Sequence, residues 1–550
     1  MGVLRAGPET EPPSDEAAGP GSTPLERPAR RWVELAALAV GALALFAVYL
    51  RLSRTVPENS DQANILLAAS DLLHGNLLLH GWYLTDVSFY TTELPQYALL
   101  EIFFGVHANT AHIAAAMTYT LVVLLAVLLA RGGFTSRTAV IRMAIAAGIL
   151  LAPQLGVGVT ALILTVGHIG TAVPVLLIWL LLDRAPQHWY IPVLTGLGLA
   201  WVLVADQLVL VVAVVPLAVV CALRIAEAAI RERSLSRALA ARRYELSLIA
   251  AAGAAAGLAW VAERVLRALG GYILNPVPFT FTVHDIPANL HSLWAVPQIF
   301  GADYRGLAGG PYYTALLHMV SLALVALALL LLARRFFSGA ALVDQVLAVA
   351  IVLNIVLFVV TSAGSEGPHE VAVVAPFGAA LAARMLVSPQ AAGARAGRPL
   401  ARRARMAAAM AGLVVLLGYL GGLAHDVVQP ASPSAFARVA SWLQAHHLRY
   451  GLGGYWESSI VTVQTDGQVT VRALLKPTLA PDLWLAKPAW YDPAAQRANF
   501  VVLSSTPGFM NNWEPRALIS KYFGRPAHVY NFGPYTVMVW DKNLLASLPR

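Results

Sequence analysis

The sequence predicts an α-helical polytopic membrane protein of about eleven transmembrane helices, with a small α/β domain at its C-terminal end. Three observations carry that prediction. Hydrophobic residues make up 58% of the 550 and charged residues only 12%, with a mean hydropathy of +0.64. A soluble globule carries about 25% charged residues to cover its surface, so a soluble enzyme and a disordered scaffold are both excluded. The second observation is a series of apolar stretches long enough, or nearly so, to span a bilayer. The third is a change of texture beyond residue 425, where charge density rises and short strand and helix patterns replace the apolar runs. The single cysteine, Cys221, lies in an apolar run, which excludes an intrachain disulfide and a cysteine-based zinc site.

Residues 1–28 are rich in Pro, Gly, Glu and Ser and have no apolar period, the composition of a disordered tail. No cleavable signal peptide is expected, because the first apolar run, 32–50, is long enough to span. Arg27, Arg30 and Arg31 precede it, which places its N-terminal end in the cytoplasm by the positive-inside rule. Further apolar stretches lie near 108–130, 139–153, 168–182, 190–204, 207–223, 246–263, 313–333, 343–361, 371–387 and 407–424. Several are nearer ~15 than the ~20 residues of a full span. Counting from the inside, the strongly basic loops fall on one side: Arg131, Arg137 and Arg142, then Arg184, then the runs at 224–243, 334–335 and 395–405. The other side receives 51–107, 264–312, 363–370 and the chain beyond about 425.

The net charge of +8 is therefore topological. Arginine runs lie against anionic lipid, and no nucleic-acid partner is expected. The chain divides into a cytoplasmic tail (1–28), a transmembrane domain (29–425) and an extracytoplasmic domain (426–550), anchored as a multi-pass protein in the cell membrane. Arginine carries nearly all positive charge outside Lys476, Lys487, Lys521 and Lys542, a bias that fits a high-GC bacterial genome.

Within the last domain, 434–447 reads as an amphipathic helix. The segments 460–463 and 469–474 flank Thr465-Asp466-Gly467-Gln468, where Asp-Gly signals a hairpin. Residues 500–504 read as a strand and 514–523 as a helix. The segments 529–532 and 535–540 form a second hairpin around Gly533-Pro534. No internal repeat is visible, which argues against an inverted-repeat transporter.

The first external loop carries the chemistry. It is too polar to span and too apolar for an ordinary loop. Ile65, Leu66, Ala69, Leu72 and Leu73 form a helical stripe that predicts a helix over 61–74 in the membrane interface, with Trp82, Tyr83, Phe89, Tyr90 and Tyr97 as an aromatic belt. Asp61 stands about ten residues beyond the first span, followed by Asp71, Asp86 and Glu93. An acid held at a membrane surface suits a general base or a ligand for a divalent cation. Capping by Ser60 or Asp61 at the helix N-terminus is the competing role. Asp71 reads as a solvated face residue and Asp86 as a turn residue. Asp206 interrupts two apolar runs and fits either a turn or a site.

This arrangement resembles the GT-C glycosyltransferase superfamily, which includes protein O-mannosyltransferases, aminoarabinose transferases and actinobacterial arabinosyltransferases. Asp61, in Asn59-Ser60-Asp61-Gln62, matches the place of the family's catalytic first-loop acid, and Glu93, in Thr91-Thr92-Glu93-Leu94-Pro95, a second acidic position. Pro368-His369-Glu370, followed by Val374-Ala375-Pro376-Phe377, resembles a late segment of these enzymes, with His369 where an arginine is more usual.

The resemblance implies transfer of a sugar from a polyprenyl-phosphate donor to an extracytoplasmic acceptor: a cell-envelope glycan, a lipid or a protein. A carboxylate would take the acceptor's proton, and cationic or hydrogen-bonding groups would hold the leaving phosphate. His168, His284, His291, Arg305 and His369 are the candidates on that side, and Trp456 and Trp490 are candidates for stacking on acceptor sugar. No His/Asp/Glu spacing makes a protein-only metal site. A magnesium or manganese ion shared by Asp61, Glu93 and donor phosphate is the one cofactor left open. A transporter or flippase of lipid-linked glycans and a non-catalytic scaffold with a glycan-binding outer domain are the alternatives.

Overall fold

The computed structural model describes residues 26–134, 137–164, 166–277, 280–281, 283–387, 399–434, 436–504 and 516–549. Nearly all of the expected N-terminal tail lies outside them. By its internal contacts the chain divides into residues 1–45 and 46–550. The described part of the first unit is the opening stretch of the helix Glu26–Ser53.

Each of the eleven apolar stretches contains a helix. Among the described residues, eight helices are long and apolar enough to cross a membrane. The remaining three, Arg137–Leu150, Ala172–Arg184 and Tyr190–Ala205, have 14, 13 and 16 residues. At ~1.5 Å per residue they fall short of a ~30 Å hydrocarbon core. The expected eleven crossings thus resolve into eight full-length helices and three short ones packed among them. Tyr190–Ala205 lies along Arg243–Ala268, and Gly196 permits the approach: a Cβ there would come within 3.0 Å of the Ala251 carbonyl oxygen. At the ends where the basic loops lie, buried Arg384 joins neighbouring helices. Its guanidinium pairs with Asp344 and, at 2.8 Å, with Asp183, and donates to the Leu129 carbonyl at 2.9 Å.

The other helix ends carry the first loop. It contains the helix Ser60–Leu73, the short strand β1 (Tyr83–Leu84) and the helix Glu93–Phe104. Strand β1 pairs in parallel with β2 (Ile273–Leu274), so the first loop and the loop at 264–312 are stitched together. The helix Ser60–Leu73 does not lie on the bilayer as its apolar stripe suggested. Ser60, Gln62, Ala63, Asn64, Ile65, Leu66, Ala68 and Ala69 are all buried, because Glu93–Phe104 packs on one side and the helix Ser459–Gln464 on another. The apolar exposure lies on the second loop helix, where Leu99, Ile102, Phe103 and Phe104 face outward.

The C-terminal domain is a five-stranded sheet of β3 (Tyr450–Gly453), β4 (Thr470–Ala473), β5 (Phe500–Ser504), β6 (His528–Phe532) and β7 (Tyr535–Val539), in the order β4-β3-β5-β7-β6. β3 pairs in parallel with β4 and β5, and the β6–β7 hairpin is the expected one, with Phe532 opposite Tyr535. The other expected hairpin is absent. Residues 459–464 are helical, and Asp466 and Gly467 adopt positive φ (51° and 75°) to end that helix. The Gly467 N–H donates to the Thr462 carbonyl at 2.9 Å. Asp-Gly supplies left-handed residues equally to a hairpin and to a helix C-terminus; parallel pairing of β4 with β3 selects the second.

One apolar core joins this domain to the first loop: Ile65, Leu66 and Trp82 belong to the same buried cluster as Phe436, Val461, Phe500 and Val537. Each such side chain contributes about 1.5 to 3 kcal/mol when fully buried, so the domain holds the loop as firmly as the loop holds the domain.

Candidate functional site

Asp61 sits in the first turn of Ser60–Leu73 without capping it. Asn59 is the cap: its side chain accepts from the Asp61 N–H at 2.8 Å, and the Gln62 side chain accepts from the Asn59 N–H at 2.8 Å. The Asp61 carboxylate is thereby released from helix capping. Its Oδ1 accepts instead from the Tyr455 hydroxyl at 2.7 Å, and Tyr455 accepts from Asn64 Nδ2 at 3.3 Å. Burial pushes Asp61 up to about 6, against the downward pull of the Tyr455 hydrogen bond.

The same helix fixes the segment that threads the rest of the site. Gln62 Nε2 donates to the Leu164 carbonyl at 3.0 Å, at the end of a π-helical turn, Thr160–Leu164. Such turns are frequent at functional sites. Beyond it, Gly170 lies directly against Glu93: a Cβ at Gly170 would stand 1.8 Å from Glu93 Oε1. Glu93 also accepts from the Thr92 hydroxyl, is buried, and is pushed by burial up to about 7. Gly170→Ala therefore forces the carboxylate out of its slot. Overpacking of this kind costs about 1 to 3 kcal/mol, and thermal unfolding of the purified protein checks it; an unchanged midpoint would show that Glu93 moves freely.

His168, between these points, anchors a buried charge cluster. Its Nδ1 meets Asp206 Oδ2 at 2.8 Å and its Nε2 meets Glu370 Oε1 at 3.3 Å. Asp206 also accepts from the Thr171 hydroxyl at 2.5 Å and from the Leu208 N–H at 2.8 Å. Burial opposes a charge on His168, but the two carboxylates outweigh it and hold the imidazole well above its ordinary range. His369 stacks parallel to His168 at 6.1 Å between ring centres and approaches Glu370 at 3.4 Å.

This cluster forms the wall between two recesses. A polar cavity of about 170 Å³ is lined by Asp86, His168, Asp206, Glu263 and Arg267. An apolar groove of about 200 Å³ runs past Leu210, Val211, Leu357 and Phe358 to Glu370. Gln207 and Leu208 line both. Asp86 is raised by burial and by its neighbours Glu370 and Asp206, with His168 opposing.

The other expected site residues take different places. His284 is fully open to solvent beside Asp285, and His291 is exposed on the helix Ile286–Ser292. Arg305 pairs with Asp303 at 3.3 Å and covers the Trp294 ring. None of the three lines either recess. Trp456 and Trp490 instead lie along the seam with the first loop. The Trp456 carbonyl accepts from the Ser60 hydroxyl, while Trp490 meets Trp82 edge-on at 5.2 Å and has Arg472 over its ring at 3.7 Å. Asp71 is not a solvated face residue: it accepts from Trp82 Nε1 at 2.8 Å and pairs with Lys487.

Among the described residues, no three His, Cys, Asp or Glu side chains could together hold a metal ion. The Asp61 and Glu93 carboxylates accept from the Tyr455 and Thr92 hydroxyls respectively.

Arg267 is not among the residues expected for the site; Glu370 enters only within Pro368-His369-Glu370, and Tyr455 only beside Trp456 in a ring-and-acid run that suits sugar stacking. Glu263 and Arg267, four apart at the end of an apolar run, are the available signal for the first. Nothing local marks Tyr455 as a partner of Asp61, which is 394 residues away.

No family model matches the sequence, and no curated protein matches it. Solved structures do. ArnT from Cupriavidus metallidurans in the apo state aligns with a TM-score of 0.53 at 14% identity, over 95% of this chain and 99% of that one. ArnT bound to undecaprenyl phosphate aligns with a TM-score of 0.52 at 13% identity, over 92% and 97%. The apo Archaeoglobus fulgidus oligosaccharyltransferase aligns at 0.46 and 14% identity, over 86% and 69%. The ArnT alignments run through nearly the whole of both chains, transmembrane helices and C-terminal domain together.

Proposed function

From the GT-C fold that this chain shares with ArnT, we propose that it is an integral-membrane glycosyltransferase. It moves a sugar from a polyprenyl-phosphate donor to an extracytoplasmic acceptor (a cell-envelope glycan, lipid or protein), with Asp61 as general base. The observation that carries the reading is the pair of adjacent recesses that share Gln207 and Leu208 in their linings, one an acid- and histidine-lined cavity and the other an apolar groove. A lipid-linked sugar needs such a pair of compartments: a polar one for sugar and phosphate, an apolar one for the isoprenoid chain. That one of the ArnT structures carries undecaprenyl phosphate supports this choice of donor.

The positive-inside rule puts the first loop, the cavity and the C-terminal domain on the outer face of the cell membrane. In the reaction, the acceptor oxygen bonds to the anomeric carbon as the bond from that carbon to the phosphate oxygen breaks. The acceptor's proton passes to Asp61 and the lipid phosphate leaves with the electron pair. Arg267 and His168 in the cavity lining, with His369 stacked on His168, balance the charge that develops on the phosphate. Glu93 supports the Gly167–Gly170 turn that carries His168. The two tryptophans of the seam, Trp456 and Trp490, border the side from which acceptor reaches Asp61.

The test is sugar transfer by the purified protein in proteoliposomes, given a panel of radiolabelled polyprenyl-phosphate sugars and envelope acceptors. For the active donor, Arg267→Gln is expected to raise KM about ten- to a hundredfold by removing a charge-assisted contact to phosphate. A wild-type KM in that variant removes Arg267 from the donor site.

A further inference from the structure

The seam between the C-terminal domain and the first loop does more than fasten one to the other. Asp61 Oδ1 is held by Tyr455 at 2.7 Å, and among the described residues nothing bonds Oδ2. Tyr455 is itself fixed by Asn64 Nδ2 at 3.3 Å, and Asn64 is one helical turn beyond Asp61 on the same buried helix. The neighbouring contact, Ser60 Oγ to the Trp456 carbonyl at 3.2 Å, holds the backbone that carries Tyr455.

We propose that Tyr455 is a positioning residue for the general base: the C-terminal domain supplies the hydroxyl that locks one oxygen of Asp61 and leaves the other for the acceptor. The inference rests on the glycosyltransferase reading and deepens it, because it makes the outer domain part of the catalytic apparatus. A carboxylate with both oxygens free rotates about its last bond. A proton acceptor is efficient only when its oxygen stands within hydrogen-bond reach of the attacking hydroxyl. Locking Oδ1 confines the rotation. The same hydrogen bond stabilises the ionised form of Asp61, so it also sets where the base becomes available.

Tyr455→Phe keeps the ring and removes only the hydroxyl. With the donor found active in the panel, kcat is expected to fall about ten- to a hundredfold, the worth of one hydrogen bond to a charged group, with donor KM unchanged. The acidic limb of the rate profile moves to higher pH, because the carboxylate loses the donor that favoured its charge. Asn64→Ala, which frees Tyr455 without deleting it, shifts the limb in the same sense by less. Ser60→Ala, which loosens the backbone that carries Tyr455, moves the limb in the same sense and by less again. If Tyr455→Phe retains the wild-type kcat and acidic limb while transfer still depends on Asp61, the positioning role is wrong and the enzyme reading stands. If wild-type protein shows no Asp61-dependent transfer with any donor, both fall together.

Discussion

Asp61→Asn is expected to abolish sugar transfer while leaving the protein at least as stable as the wild type. General-base catalysis contributes about 10² to 10⁴ in rate, so the variant should retain about 1% of the activity or less. Stability runs the other way. Asn59, not Asp61, caps the helix, and an asparagine at 61 still offers an oxygen to the Tyr455 hydroxyl. Burial raises Asp61 to about 6 from an unfolded carboxylate value of about 4. An ionised Asp61 therefore weakens folding, by an amount that grows as pH rises from about 4 to about 6 and is constant above. Asparagine carries no such penalty. Thermal unfolding should give equal midpoints for the two proteins near pH 4 and a higher midpoint for the variant at pH 7. Wild-type activity should climb through about pH 6 as the base ionises. Transfer at the wild-type rate by the variant would assign Asp61 a structural role and place the base at another residue.

Function costing stability at one residue is the expected signature of a built site, and it explains which parts of this protein are legible in its sequence. The helices are legible because each buries an apolar surface along its own length, a property of consecutive residues. The strand at 500–504 and the hairpin at 528–539 are legible for the same reason. The place of Asp61 is legible as a family resemblance, one acid shortly after one span. What makes it a candidate base is not: Tyr455, Asn64 and Asn59 act on it through contacts that only the docking of the C-terminal domain creates. The interfacial helix fails for a related reason. An apolar stripe states that a face is covered, not whether lipid or protein covers it, and here Ser459–Gln464 takes the place assigned to lipid. His168 and His369 converge on Glu370, whereas His284, His291 and Arg305 lie at solvent-exposed positions on the loop at 264–312. Their residue types are alike; topology alone separates them.

The charge cluster gives the largest expected effect on stability. Asp206 receives His168, the Thr171 hydroxyl and the Leu208 N–H, and Asp206→Asn removes the stronger of the two acids facing a buried imidazole. Breaking one partner of a buried ion pair costs about 3 to 5 kcal/mol, because the remaining charge stays out of water without compensation. The pH dependence identifies the cause. His168 is held well above its ordinary value, so its contribution is complete below the unfolded histidine pKa of about 6.5 and is lost as pH rises through the folded value. Wild-type protein should therefore lose thermal stability on the alkaline side of neutrality. In Asp206→Asn the imidazole loses its main anionic neighbour, the folded value drops, and that alkaline loss moves toward neutral pH. Unfolding midpoints measured from pH 6 to 10 distinguish this from a mere packing defect, which lowers every midpoint equally. Equal midpoints for the two proteins across that range would mean that the cluster stays hydrated. The wall between the polar cavity and the apolar groove would then owe its rigidity to the π-helical turn Leu210–Val214 and the helices around it, with His168 free to change its charge as the donor phosphate arrives and leaves.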